Sequence, residues 1–136
     1  MIVTSEDKMQ CFRILLAEDY KMNRKMTVLI LKRLGYEVDT VTNGLEVLEA
    51  FESQRYRLEL MNLCMPEMNG LEATREIRKR LSEEDQPFIV TITAYALEDI
   101  KERCYTAGMD ECLIRPVSKE ELAASLKKYI PSIKSL

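Results

Sequence analysis

The chain has 136 residues, 46% hydrophobic and 32% charged, which is long enough for one domain with a single sizeable core and too apolar for a disordered chain. Its 23 acidic and 20 basic side chains leave a net charge of −3, which argues against nucleic-acid binding through a broad basic face and favours proteins or small ions as partners. There is no histidine, so catalytic triads, imidazole general bases and phosphohistidine carriers are excluded.

Residues 1–11 read as a lead-in, because Thr4 to Lys8 is polar and no period is sustained. The start lacks the cationic end and apolar core of a signal peptide, and no uninterrupted apolar run in the chain approaches a membrane span. A cytoplasmic domain without membrane insertion is expected, whether free, nuclear or part of a membrane receptor. Phe12 to Ala17 is nearly all apolar and ends in Glu18-Asp19, the pattern of a strand buried on both faces. Apolar residues at 22, 26, 29, 30 and 34 predict a helix that Gly35 closes. Tyr36 to Val41 alternates and predicts a strand near a sheet edge. Asn43 then caps a helix with the inner face Leu45, Leu48 and Phe51.

Leu58 to Asn62 is the third strand, and Gly70 opens a helix carrying Leu71, Thr74, Ile77 and Leu81. Ser82 to Gln86 reads as a solvated loop, and Pro87 to Thr93 as a β-rich fourth strand. Leu97, Ile100, Cys104 and Ala107 mark a helix ending at Gly108, before a short fifth strand from Glu111 to Ile114. Ser118 and Glu121 have capping-box spacing for a last helix with the stripe Leu122, Leu126 and Tyr129. Pro131 stops it, leaving residues 12–130 as the domain and 131–136 as a tail. Five strands alternating with five helices across short loops predict an α/β fold, a parallel sheet covered on both faces.

Two absences bear on chemistry. Cys11, Cys64, Cys104 and Cys112 have no C-x-x-C spacing, and without histidine they do not complete a mixed zinc site, so reduced, buried or idle thiols are expected. No Gly-rich phosphate loop follows the first strand, so nucleotide binding is not expected.

Polar residues gather at four strand ends: Glu18 and Asp19, Asn62, Thr93, and Arg115. Doubly wound sheets bring such ends together in one pocket. Two carboxylates there repel unless a cation joins them, although acidic residues at strand ends also serve as caps and turn formers.

The segments I-L-L-A-E-D-Y-K-M-N, L-M-N-L-C-M-P-E-M-N-G, T-I-T-A-Y-A and G-M-D-E-C-L-I-R-P-V together resemble the response-regulator receiver domain of two-component phosphorelays. They resemble most those attached to hybrid histidine kinases, including plant ones. The likeness runs from about Phe12 to Ile130 in order and spacing. It implies the flavodoxin-like, CheY-like (βα)5 fold with strand order 2-1-3-4-5. In that family an aspartate ending the third strand becomes an aspartyl phosphate, with Mg²⁺ held by the acidic residues after the first strand. On the family's pattern Glu18 and Asp19 match the acidic pair, the Cys64 carbonyl matches a further metal contact, and Thr93 matches a phosphoryl-contacting hydroxyl. Three positions depart: Asn62 stands for the phosphoacceptor, Arg115 for the phosphoryl-contacting lysine, and Cys112 for the switch aromatic.

These departures predict a pseudo-receiver, not an enzyme on a diffusible substrate, in which Asn62 takes no phosphoryl group and Mg²⁺ binds weakly at most. Arg115 is expected either as an internal counter-ion to Asp19 or Glu18, or extended into solvent. Cys112 is expected as a small buried thiol, with a redox role as the alternative. Tyr95 and Tyr105 are expected to be partly exposed near the fourth helix. Glu59 falls on the strand face opposite Asn62, so it is either paired with Arg13 or Arg57 or left wet by a frayed strand start. The implied partners are a histidine phosphotransfer protein or the kinase core of the same chain. The competing reading is a phosphoaccepting receiver with an altered site, or one engineered at position 62.

Overall fold

The computed structural model describes residues 13–94 and 98–130, the Glu98 side chain excepted. The lead-in with Cys11, Phe12, the residues Tyr95 and Leu97, and the segment from Pro131 onward lie outside the described residues. Largely apolar runs supply the strands β1 (Arg13–Ala17), β3 (Leu58–Asn62), β4 (Phe88–Thr93) and the short β5 (Glu111–Ile114), while β2 (Glu37–Val41) alternates; β2 and β5 form the edges. The sheet is parallel throughout, as the alternation of strands and helices predicts, and its order is β2-β1-β3-β4-β5, as the resemblance to receiver domains implies. Central strands of such a sheet are buried on both faces, which is why they read as runs, whereas the edge strand β2 reads as alternation.

The helices are α1 (Lys21–Arg33), α2 (Gly44–Ser53), α3 (Gly70–Arg80), α4 (Glu98–Ala107) and α5 (Lys119–Tyr129). Two cores follow from the strand alternation. Leu15, Met61, Ile89 and Cys112 point to the layer of α2, α3 and α4, where Val47, Ile77 and Cys104 meet them. Ile14, Leu16, Leu60 and Val90 point to α1 and α5, against Leu31, Leu122 and Leu126. Among the described residues no helix is long and apolar enough to cross a membrane.

Helix faces depart from their predicted stripes. In α1, Met22, Met26 and Leu29 are exposed, at 59%, 59% and 51%, and the sheet takes Leu31 with parts of Val28, Ile30 and Leu34. Apolar periodicity locates stripes, but α1 has two apolar arcs and the crossover geometry selects the second. Leu45 is likewise exposed, and Val47 with Leu48 forms the buried face of α2.

The loop after α3 is more than a solvated charge run. Residues Glu83–Asp85 form a 3-10 turn, and the Gln86 side-chain amide donates to the carbonyls of Ile77, Arg78 and Leu81, closing the helix end. A complete capping box stands at Asn69 and Glu72 of α3. At α5, Ser118 Oγ accepts from the Glu121 N–H at 3.0 Å.

Both alternatives for Glu59 are overturned. Arg13 pairs with Glu37 and Asp39, and Arg57 lies over the Phe88 ring. Glu59 sits inside β3 between Leu15 and Ile89, fully buried, with neither carboxyl oxygen hydrogen-bonded. Burial pushes its pKa well above the ordinary carboxyl range, favouring the neutral acid.

Candidate functional site

Backbone pairing brings the polar strand ends together. The Glu18 N–H donates to Val41 O at 3.1 Å, carrying β1 one residue past its end, and Glu18 is buried, 2% exposed. Asn62 closes β3, where α3 starts so near that a Cβ on Gly70 would lie 2.7 Å from Asn62 O. Between them Glu67 has φ 67° and the Met68 N–H reaches Pro66 O at 2.7 Å, a three-residue turn that folds the loop back sharply. The Arg115 N–H donates to Thr93 O at 2.7 Å, setting the start of the cis Arg115–Pro116 bond beside the end of β4.

The side chains form one network. Asn62 Nδ2 donates to Glu18 Oε2 at 2.9 Å and to Asp19 Oδ1 at 3.2 Å. Arg115 Nη2 meets Glu18 Oε1 at 2.5 Å, and the Tyr20 N–H adds 3.2 Å to Oε2. Arg24 closes the cluster from α1, with Nη1 2.9 Å from Glu18 O. Arg115 is therefore an internal counter-ion, on Glu18 rather than extended into solvent, and both Glu18 oxygens are engaged. Charge-assisted bonds of this kind are among the stronger ones in proteins.

The amide at position 62 suits this arrangement, because it donates to both acids. A carboxylate in its place would set a third negative group about 3 Å from Glu18, a repulsion that the Arg115 guanidinium on Glu18 offsets only in part. The amide instead donates to both acids.

A divalent cation fits this donor set poorly. Mg²⁺ takes hard oxygen ligands in octahedral array, whereas Asn62 directs its NH₂ group toward both carboxylates and the guanidinium holds Glu18. For the amide oxygen to become a ligand, the side chain would have to turn over and give up both hydrogen bonds.

The remaining expected positions separate. Thr93 is buried and tied in through its backbone, and Cys64 is exposed two residues beyond Asn62. Cys112 lies away from the network, buried in the core under α4. Sequence reading missed Arg24 and the Tyr20 N–H. Their roles depend on the turn between β1 and α1, for which the residue types carry no signal.

A family model described as the response regulator receiver domain matches residues 14–127. The chain belongs to that family. Among curated relatives, this receiver domain is 39% identical over 116 residues to the aerobic respiration control sensor protein ArcB of Escherichia coli, covering 85% of this chain and 15% of the relative. It is 34% identical to histidine kinase 5 of Arabidopsis thaliana, covering 87% of this chain and 16% of the kinase. The receiver domain thus spans about a sixth of the relatives' length. Among solved structures, the receiver domain of sensor histidine kinase PA1611 from Pseudomonas aeruginosa superposes with a TM-score of 0.78 at 36% identity, covering 86% of this chain and 95% of that one. That receiver holds a magnesium ion in its active-site cleft.

Proposed function

We propose that this receiver domain does not take a phosphoryl group at position 62 and regulates through protein binding. The observation that supports this most directly is the Asn62 amide donating to both Glu18 and Asp19. An amide is neutral, far less nucleophilic than a carboxylate, and has no route to an acyl phosphate. Arg115 compensates Glu18, so the pocket is stable closed and needs Mg²⁺ weakly at most.

The partner is a histidine phosphotransfer protein or the kinase core of the same chain, with no part for nucleic acid or membrane insertion. Tyr20, Met22, Met26 and Leu29 expose an apolar face that begins one residue after Asp19 and so adjoins the pocket a phosphotransfer partner approaches. Methionine-rich surfaces adapt to partner shape. The domain acts in the cytoplasm, alone or as the cytosolic part of a larger receptor.

The test is intact mass after incubation with a small phosphodonor and Mg²⁺. The expected result is an unmodified chain. A stoichiometric phosphate adduct would instead support the altered but working phosphoacceptor. The Asn62→Asp variant divides the cause: labelling there leaves Asn62 as the block, and continued silence assigns it to Arg115 as well.

A further inference from the structure

Asn23, Met26, Thr27 and Ile30 follow one another at helical spacing on one face of α1 and form a wall of a cavity of about 470 Å³. Ile92 of β4, Val117 and Leu122 of α5 complete its apolar lining. Strand alternation turns Ile92 to the same layer as Val90, toward α1 and α5. Met26, 59% exposed, stands at the solvent side. Small-molecule sites have volumes of about 300–1,000 Å³ and a mostly apolar lining with a few polar groups that fix orientation. This cavity meets both conditions, and among the described residues Arg115 is the charged side chain that lines it.

We propose that the cavity binds a small amphipathic carboxylate, its apolar body against Ile30, Ile92, Val117 and Leu122 and its head on the Arg115 guanidinium. A guanidinium carries several N–H donors in a planar fork. Nη2 of Arg115 meets Glu18, and the side chain keeps 31% exposure, so the fork has donors left for a second carboxylate. A wholly apolar ligand would cover those donors without pairing them, which costs free energy. Charge favours an anion over a cation, because no acidic side chain among the described residues lines the cavity. Glu18 is compensated by Arg115 itself. Arg24 brings a second guanidinium to the main-chain carbonyls of Glu18 and Asp19, so two arginines balance the two acids next to the site. The Asn23 amide and the Thr27 hydroxyl, one helical turn apart, add hydrogen-bonding groups to the α1 wall. Ile92 is the register partner of Asn62, so the cavity adjoins the network at the strand ends. The site does not rest on the reading of position 62 or of the protein partner.

The experiment titrates phenylbutyrate into the full chain and follows backbone amide NMR shifts, with phenylbutyramide as the uncharged isostere and acetate as the head group alone. Saturable shifts are expected in the lining segments 23–30 and 115–122 and at Ile92. The isostere should bind about tenfold more weakly or worse, because it forfeits the charge-assisted pair, and acetate should give no saturable response. Thr27→Trp, which fills the cavity from α1, should abolish binding. Arg115→Gln should bring acid and isostere to equal affinity; if that variant does not fold, the acid and isostere compared on the unaltered chain decide the same point. The proposal is overturned by equal affinity of acid and isostere for the unaltered chain, or by acetate binding as tightly as phenylbutyrate. Shifts confined to other surfaces, unchanged binding by Thr27→Trp, or no saturable response at millimolar phenylbutyrate overturn it as well.

Discussion

Glu59 carries a free-energy cost that nothing around it offsets. Its carboxyl is fully buried with no hydrogen-bond partner, and an orphaned buried polar group costs about 1–3 kcal/mol. Its pKa in the fold is raised above the unfolded value near 4.5. The stability it permits is therefore fully present below pH 4.5 and declines as pH rises toward the folded pKa, because the unfolded chain ionises first. Urea denaturation across that window should show the wild type losing stability with rising pH and Glu59→Leu nearly flat over the same range. At pH 8 the variant should be more stable by about 1–3 kcal/mol; a variant less stable than wild type at every pH would show that the carboxyl makes a favourable contact after all. At the same scale, Asn62→Asp should destabilise the metal-free chain by about 1–3 kcal/mol through repulsion with Glu18 and Asp19, measured in the presence of a chelator.

At the scale of elements, α1 and α3 show what helix sequences do and do not reveal. The Asn69 capping box satisfies donors at the start of α3, directly behind the Asn62 loop, so Asn69→Ala should cost about 1–2 kcal/mol in a denaturant titration. The exposed arc of α1 makes the opposite prediction. Met26 contributes little to the core, so Met26→Lys should leave stability within about 0.5 kcal/mol of wild type. The same change should abolish capture of histidine phosphotransfer proteins in a pull-down, and retained capture would remove α1 from the interface. The apolar spacing of α1 was legible in the sequence, but its direction was not. A stripe seeks burial, and whether the sheet or a partner provides it depends on the angle at which the helix crosses.

Across the whole molecule, Arg78 joins parts that are distant in sequence. Its guanidinium donates to Gly108 O, Pro87 O and Gln86 Oε1 and pairs with Asp110 at 3.0 Å, clamping α3 to the entries of β4 and β5. Asp110 in turn accepts from the Ile89 N–H at 2.8 Å. Because removing the arginine leaves several carbonyls unpaired, Arg78→Ala should cost about 2–4 kcal/mol by chemical denaturation. Ligand linkage tests the pocket at this same scale. A receiver that binds Mg²⁺ tightly gains stability with the ion, whereas here Tm should be unchanged between a chelator and millimolar Mg²⁺.

The sequence by itself determined the alternation of five strands and five helices, since helical spacing with short loops fixes parallel crossovers, while the strand order came from the likeness to receiver domains. It also determined that Asn62 is an amide and that Glu18, Asp19, Thr93 and Arg115 end neighbouring strands. Residue identity and position carry those facts without coordinates. Only the tertiary structure decided what the pocket does with them: that Arg115 turns inward onto Glu18, that Asn62 spans both acids, and that Arg24 joins from α1. It likewise decided that Glu59 has no hydrogen-bond partner and that Cys104 and Cys112 lie buried in one core cluster. Each is a contact between side chains distant along the chain or on different elements, and such contacts are set by packing distances and angles that no local pattern encodes.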